Sequence, residues 1–297
     1  MTRILVVGAG GFIGSHLSTF LAAGHEVFTC SLSGQGTARH RVLNPDAPDF
    51  VGILSELRPD VCINCSGAAN VSASFLSPLR DFDLNVARVV QLLDAIRASG
   101  VDTRFMHLSS AAVYGNPAVQ PVAESAIVAP LSPYGHHKRL AELACAEYTR
   151  LFSVPTLSLR IFSAYGPRLR KQIFWDIFQK WKANGHVELF GTGAESRDFI
   201  FIADLCRAIQ CLLEAGTFDG RGVNVGSGRA VTIRDSASLL LANLSPTAEV
   251  HFSGNERKGD PEQWRADIAQ LRSCGFEPEY DISAGLKETA QWLKEQA

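Results

Sequence analysis

Short apolar runs alternate with longer amphipathic stretches through the first half of the chain. Residues 4–7 form a continuous apolar run that stops at Gly8, and residues 13–23 follow with apolar positions at helical spacing, ending at Gly24. Further runs at 25–30, 61–64, 104–108 and 155–161 read as strands. Residues 79–99 and 134–152 read as long amphipathic helices, the first stopped by Gly100. Short apolar runs bounded by turn residues suit strands buried on both faces, and three- to four-residue spacing suits helices. Strands alternating with helices make parallel β-α-β units, so the expected fold class is α/β with a doubly wound parallel sheet.

After Gly166-Pro167 the rhythm changes. A helix is expected over 173–183 and a short strand over 187–190, ahead of Gly191-Thr192-Gly193. The apolar run 199–202, a helix over 204–215 and a strand over 222–225 follow, the last closed by Gly226 and Gly228. Leu239 lies in another helix, and 286–295 is the last one. There are no repeats and no low-complexity segments.

Composition narrows the classes. The chain has 297 residues, more than one small core needs, which suits two domains or one domain with an added lobe. Its 28 basic and 30 acidic residues give a net charge of −2, so no bulk basic excess points to a nucleic-acid partner. Gly8 cuts the opening apolar run far short of a membrane span, and no membrane partner is expected. The seven cysteines are scattered and odd in number, which suits a reducing, cytoplasmic setting. Cys62 and Cys65 have C-x-x-C spacing, but they fall on an expected strand. Residues three apart on a strand point to opposite faces, so neither a metal nor a redox pair is expected there.

The first chemical signature is Gly8-Ala9-Gly10-Gly11-Phe12-Ile13-Gly14, between a strand and a helix. In that context glycines permit a tight turn, and the helix amino terminus offers N–H groups and a positive dipole end to a pyrophosphate. The expected fold is therefore Rossmann-type, with a smaller α/β C-terminal substrate lobe. Residues 1–165, with a returning segment near 198–230, would bind the dinucleotide. Residues 166–197 and 231–297 would form the lobe. The second strand ends at Ser31, where a carboxylate would bind the adenosine ribose hydroxyls. A serine does not repel a 2′-phosphate, and Arg39 and Arg41 follow nearby. The cofactor expectation is accordingly NAD or NADP.

Tyr134-Gly135-His136-His137-Lys138 puts tyrosine and lysine four apart, on one face of a helix start. An ammonium favours the phenolate, which takes a proton from a hydroxyl while hydride leaves for a nicotinamide. Ser110, at the end of the 104–108 strand, sits at the carboxyl edge of the sheet, where ligands bind in such folds. His136 and His137 read as helix-surface residues.

These residues resemble the NAD-dependent epimerase/dehydratase family of extended short-chain dehydrogenases/reductases, the group of UDP-glucose 4-epimerase. The matching segments are the glycine loop, Ser-Ser-Ala-Ala-Val-Tyr-Gly at 109–115, Ser-Pro-Tyr-Gly-x-x-Lys at 132–138 and Arg-Asp-Phe-Ile-Phe-Ile-x-Asp-Leu at 197–205. Asn85-Val86, the stretch 162–167, Asn224-Val225-Gly226-Ser227-Gly228 and Arg257-Lys258-Gly259-Asp260 add to the match, which covers the whole chain. The resemblance implies Ser110, Tyr134 and Lys138 as catalytic residues. It implies Gly8, Gly11, Phe12, Ile13, Gly14, Ser31, Asn85, Tyr134 and Lys138 around the cofactor. Ser110, Ser163, Arg197 and Arg257 would meet a nucleotide-diphosphate sugar, the arginines at its diphosphate. Ser163 stands where many members have asparagine. Ala111 and Ala112 replace the Asp-Glu pair of the dehydratases, which argues against elimination of water. The expected activity is nucleotide-sugar epimerisation through a keto sugar, with NADPH-dependent reduction of a keto sugar as the alternative. A homodimer joined by a four-helix bundle is also implied, with Val89, Val90, Leu92, Leu93, Leu140, Leu143 and Leu151 as surplus apolar positions on the two long helices.

Overall fold

In a computed structural model, residues 1–245, 247–255 and 261–296 are described; Arg257, one of the two expected diphosphate contacts, lies outside them. A seven-stranded, wholly parallel sheet forms the centre. It joins β1 (Arg3–Val7), β2 (Glu26–Ser31), β3 (His40–Val42), β4 (Val61–Asn64), β5 (Arg104–Ser110), β6 (Thr156–Ile161) and β10 (Gly222–Val225). The spatial order is β10-β6-β5-β4-β1-β2-β3. The chain runs outward from β1 on one side to β3, then returns to β4 on the other. The switch point therefore lies at the carboxyl ends of β1 and β4, where such sheets open a crevice.

The two faces of β1 show why residues 4–7 are uniformly apolar. Ile4 and Val6 enter one buried cluster with α1 (Phe12–Leu21) and α8 (Ile202–Ala215), while Leu5 and Val7 enter another with α2 (Phe50–Leu57) and α5 (Arg88–Ser99). Helices cover both faces, so Ile4, Leu5, Val6 and Val7 are all buried, and only Arg3 at the strand's start reaches water. α6 (Pro133–Phe152) opens with Pro133 in its first turn and Ser132 as its cap, the Ser132 hydroxyl accepting from Gly135 N–H at 3.1 Å.

Several elements differ from the sequence expectation. β3 and α2 were not expected. β3 is only three residues long, and α2 starts at an Asp49 cap that accepts from Gly52 N–H at 2.8 Å, within a stretch crowded by Pro45, Pro48 and Pro59. The expected helix 79–99 forms, but not as a regular α-helix throughout. It comprises α4 (Pro78–Phe82), a π-helical turn over Asp83–Ala87 and α5. The apolar positions assigned to a partner also divide. Val89, Leu92 and Leu93 face the chain's own core, whereas Leu140, Leu143 and Leu151 are exposed.

The smaller region carries a three-stranded sheet, β7 (Ser163–Tyr165), β9 (Ser196–Phe201) and β11 (Ala230–Thr232), in the order β11-β9-β7. β8 (Val187–Leu189) pairs in parallel with β12 (Val250–Phe252). Asp198, buried in β9, accepts from the N–H groups of Ser227, Gly228 and Ala266, and so fastens the 226–228 loop and the 266 segment to one carboxylate. No helix among the described residues is long and apolar enough to cross a membrane.

His107 lies fully buried in β5, with neither ring nitrogen hydrogen-bonded among the described residues. Burial holds its pKa well below the usual 6.5, with Lys138 adding to the effect. A depressed histidine pKa means that the unfolded chain binds the proton first. Folding is thus unaffected above pH 6.5 and loses about 1.4 kcal/mol for each pH unit below it. Urea unfolding midpoints between pH 7 and pH 5 should fall less steeply in His107→Asn. An unchanged slope would place the acid sensitivity elsewhere.

Candidate active site

The glycine loop leaves β1 and packs under the end of β2: the N–H groups of Gly8 and Ala9 both donate to the Cys30 carbonyl. Gly8 adopts φ +84°, and a side chain there would press its Cβ to 2.7 Å from the Ser66 nitrogen. A Cβ at Gly14 would stand 2.3 Å from the Gly8 carbonyl oxygen. Only glycine fits at either place. α1 begins at Gly11 with no side-chain cap, so its leading N–H groups face outward from the loop. A loop whose backbone packs too closely for any Cβ, ending at helix N–H groups without a side-chain cap, suits a dinucleotide pyrophosphate. Phe12 and Ile13 occupy its first helical turn.

Across the switch point, Ser110 ends β5 and Tyr134 stands in the first turn of α6. Burial pushes the Tyr134 phenol up to about 12, against a downward pull from Ser110. Lys138, one turn on, is 4% exposed and donates from Nζ to the Leu108 carbonyl at 2.8 Å. Its ammonium lies 5.9 Å from the centre of the Tyr134 ring. Burial lowers its pKa to about 8, against the pull of the Asp81 and Glu142 carboxylates. The structure thus assembles the three expected catalytic side chains in one dry corner of the crevice.

His137 does not lie on the helix surface. Its Nδ1 meets the buried Asp81 carboxylate at 2.6 Å, and its ring packs edge-on against Phe82. Asp81 belongs to α4 and also raises the Tyr134 pKa. A second buried carboxylate, Glu142, accepts from Ser109 Oγ at 2.7 Å and from Arg160 at 2.9 and 3.0 Å. Neither carboxylate stood out in the sequence, because each acts through partners on other elements.

Asn85 lies in the π-turn, 1% exposed, and neither its amide nitrogen nor its oxygen has a hydrogen-bond partner among the described residues. Its Oδ1 packs where a Cβ on Gly67 would come within 2.5 Å, beyond the carboxyl end of β4. A buried amide without a protein partner at a π-turn is a common mark of a ligand site. At the end of β2, Ser31 is buried against the glycine loop. Arg41 does not reach toward it, being held by Glu56 at 2.5 Å and by the Thr37 carbonyl. Ser163 lies in β7. Arg197 lies in β9, donating to its neighbour's carbonyl at 2.9 Å with its guanidinium over the Trp264 ring.

A parallel sheet with a glycine cradle on its first strand and a Ser-Tyr-Lys corner across the switch point defines a nicotinamide-dependent dehydrogenase-like enzyme. The family model described as "NAD dependent epimerase/dehydratase family" matches residues 4–226, and the chain belongs to that family. UDP-glucose 4-epimerase of Mycolicibacterium smegmatis is 29% identical over 313 residues, covering 98% of each chain. The structure of UDP-glucuronic acid 4-epimerase from Bacillus cereus, in complex with UDP-glucuronic acid and NAD, superposes with a TM-score of 0.89 at 27% identity, over 99% of this chain and 100% of that one. RMD from Pseudomonas aeruginosa, complexed with NADPH, superposes with a TM-score of 0.83 at 26% identity over the whole of both chains. Cofactor use in the family therefore spans NAD and NADP, as expected for this chain.

Proposed function

We propose that the enzyme epimerises a nucleotide-diphosphate sugar through a transient keto sugar, with Tyr134 as acid and base. Buried Tyr134 and Lys138 with Ser110, across the switch point from the glycine loop, carry this reading. Gly8, Gly11, Phe12, Ile13 and Gly14 would hold the pyrophosphate, and Asn85, Tyr134 and Lys138 would line the nicotinamide end. A bound nicotinamide supplies the hydride acceptor and donor, and in its oxidised form a positive charge. The chain's own residues handle the proton. Ser110 orients the sugar hydroxyl toward the Tyr134 oxygen. Lys138, charged below about pH 8, steadies the phenolate after the proton has moved. Reprotonation by the same tyrosine completes the exchange. Arg197, and Arg257 by resemblance, would hold the diphosphate.

One observation favours a second reading. A serine, not a carboxylate, stands at the end of β2, and it does not repel a 2′-phosphate. This suits an NADPH-dependent keto-sugar reductase. Incubation with UDP-hexoses and UDP-hexuronic acids, read by chromatography of the product sugars, separates the two. An epimerase yields the C4 epimer with no net cofactor turnover. A reductase leaves these sugars untouched and consumes one NADPH per keto sugar supplied.

We further propose a homodimer, on the exposed Leu140, Leu143 and Leu151 of α6. Light scattering at micromolar concentration should give twice the chain mass, and a monomer would remove this proposal.

A further inference from the structure

Trp264 belongs to none of the segments that carry the chemistry in the sequence, yet three parts of the site meet on its side chain. Its indole Nε1–H donates to the Gly115 carbonyl at 3.0 Å, in the turn that follows Ser110 and residues 111–113. Its ring packs edge-on against Phe162, just past the end of β6 and next to Ser163, with ring centres 5.9 Å apart. The Arg197 guanidinium of β9 lies over the same ring, 5.8 Å from its centre.

The backbone around Trp264 ties these parts together. The Trp264 N–H donates to the Ser196 carbonyl at 3.1 Å, and Arg197 Nη1 donates to that same carbonyl at 2.9 Å. On the other side, Glu262 N–H donates to Asn116 Oδ1 at 2.8 Å, and Gln120 Nε2 donates to the Gln263 carbonyl at 2.7 Å. Residues 262–265 thus form a strap from β9 to the segment after β5. That segment has little slack. Gly115 adopts φ +64°, and a Cβ there would stand 2.1 Å from the Ala129 carbonyl oxygen, shortly before the Ser132 cap of α6. A Cβ on Gly135, beside Tyr134, would stand 2.6 Å from the Ala112 carbonyl oxygen.

A guanidinium meets an aromatic ring with its flat face and donates hydrogen bonds in its own plane, so a ring can fix the group that forks a phosphate. A nucleotide sugar gripped at its diphosphate presents its sugar at a set reach. The span from the gripping group to the acid–base group then decides whether the reacting hydroxyl is met, and an error of about 1 Å costs as much as about 10²-fold in rate. We propose that Trp264 is a positioning residue: its ring holds Arg197 for the substrate diphosphate, and its N–H, through Gly115, fixes the span from that anchor to Ser110 and Tyr134. The inference rests on a nucleotide-diphosphate sugar being the substrate.

Calorimetry with UDP and with GDP, and steady-state rates with the sugar nucleotide that the unmodified enzyme turns over, test this. NADH binding and circular dichroism serve as folding controls. Trp264→Leu, which removes ring and N–H together, should weaken binding of the nucleoside diphosphate by about tenfold, the scale of a desolvated cation–π contact, with NADH binding unchanged. In an Arg197→Ala background the same substitution should add less than about twofold, because its partner is already gone. Trp264→Phe keeps a ring and removes only the N–H. It should bind the nucleoside diphosphate within about threefold of the unmodified enzyme and lose about tenfold in turnover. No loss of affinity in Trp264→Leu, or an equal loss with and without Arg197, would overturn the assignment of Trp264 to the diphosphate anchor. Full turnover in Trp264→Phe would overturn its control of the span. Failure of the unmodified enzyme to bind either UDP or GDP would instead overturn the sugar-nucleotide reading on which the inference rests.

Discussion

Tyr134→Phe lowers turnover by about 10²–10⁴-fold, the contribution of a general acid–base group, while cofactor binding and the folded state persist. The substitution keeps the buried ring and removes only the phenol oxygen. Lys138→Ala should give a loss of similar size by a different route. Nζ is fixed by the Leu108 carbonyl, and no other ammonium in the described structure stands close to that ring. The two losses should not add, because both variants disable one proton transfer. Steady-state rates with far-ultraviolet circular dichroism as the folding control check this. Near-normal turnover in Tyr134→Phe would remove the tyrosine from the mechanism.

Glu142→Ala destabilises the fold by about 3–5 kcal/mol, the cost of leaving a buried charge without its partner. Glu142 and Arg160 are 4% and 5% exposed. Arg160 is also bonded to the Tyr114 hydroxyl at 2.8 Å, which donates to Asn224 at 2.7 Å, so a connected polar chain crosses β6 and β10. Against a typical total of about 5–15 kcal/mol, such a loss brings the variant close to unfolding at ambient temperature. Glu142→Gln, which keeps an acceptor oxygen, should lose less. Urea denaturation with a common slope checks both. A loss below 1 kcal/mol in Glu142→Ala would mean that water reaches the guanidinium. Glu142 also holds Ser109, the residue before Ser110, and its charge supports the Lys138 ammonium. Fold stability and site geometry therefore share this carboxylate.

What was legible in the sequence was local. The glycine loop declares itself because the strand, the turn and the helix start occupy one short segment, and Tyr134 with Lys138 because a helix brings positions four apart together. Continuous apolar runs such as residues 4–7 marked the inner strands. What escaped depends on contacts between distant segments. Asp81 and His137 are 56 positions apart and meet only because α4 packs on α6. β3 is a strand because β2 offers it an edge, and its residues carry little apolar signal of their own. His137 in the sequence looked like a surface residue for the same reason: nothing in its neighbourhood announces Asp81. Leu92 and Leu93 read as surplus to one inward stripe because nothing in the sequence announces the π-turn that resets the helix phase at 83–87.

That reset has a consequence for how the chain tolerates change in length. The Arg88 N–H reaches back to the Asp83 carbonyl, so the turn holds one residue more than an unbroken α-helix would. An α-helix rotates by about 100° per residue. Deleting one position between 83 and 87 would let the turn close as regular α-helix with the flanking faces nearly in place, whereas forcing all five residues into α geometry would swing α4 by about that angle about the axis of α5. Leu92 and Leu93 would keep their places in the core, while Asp81 would turn away from His137 and the Asn85 amide would leave Gly67. The surplus residue works as a phase setter: it lets one helical rod serve the core along one half and the active site along the other, on faces that a single regular period cannot bring into line.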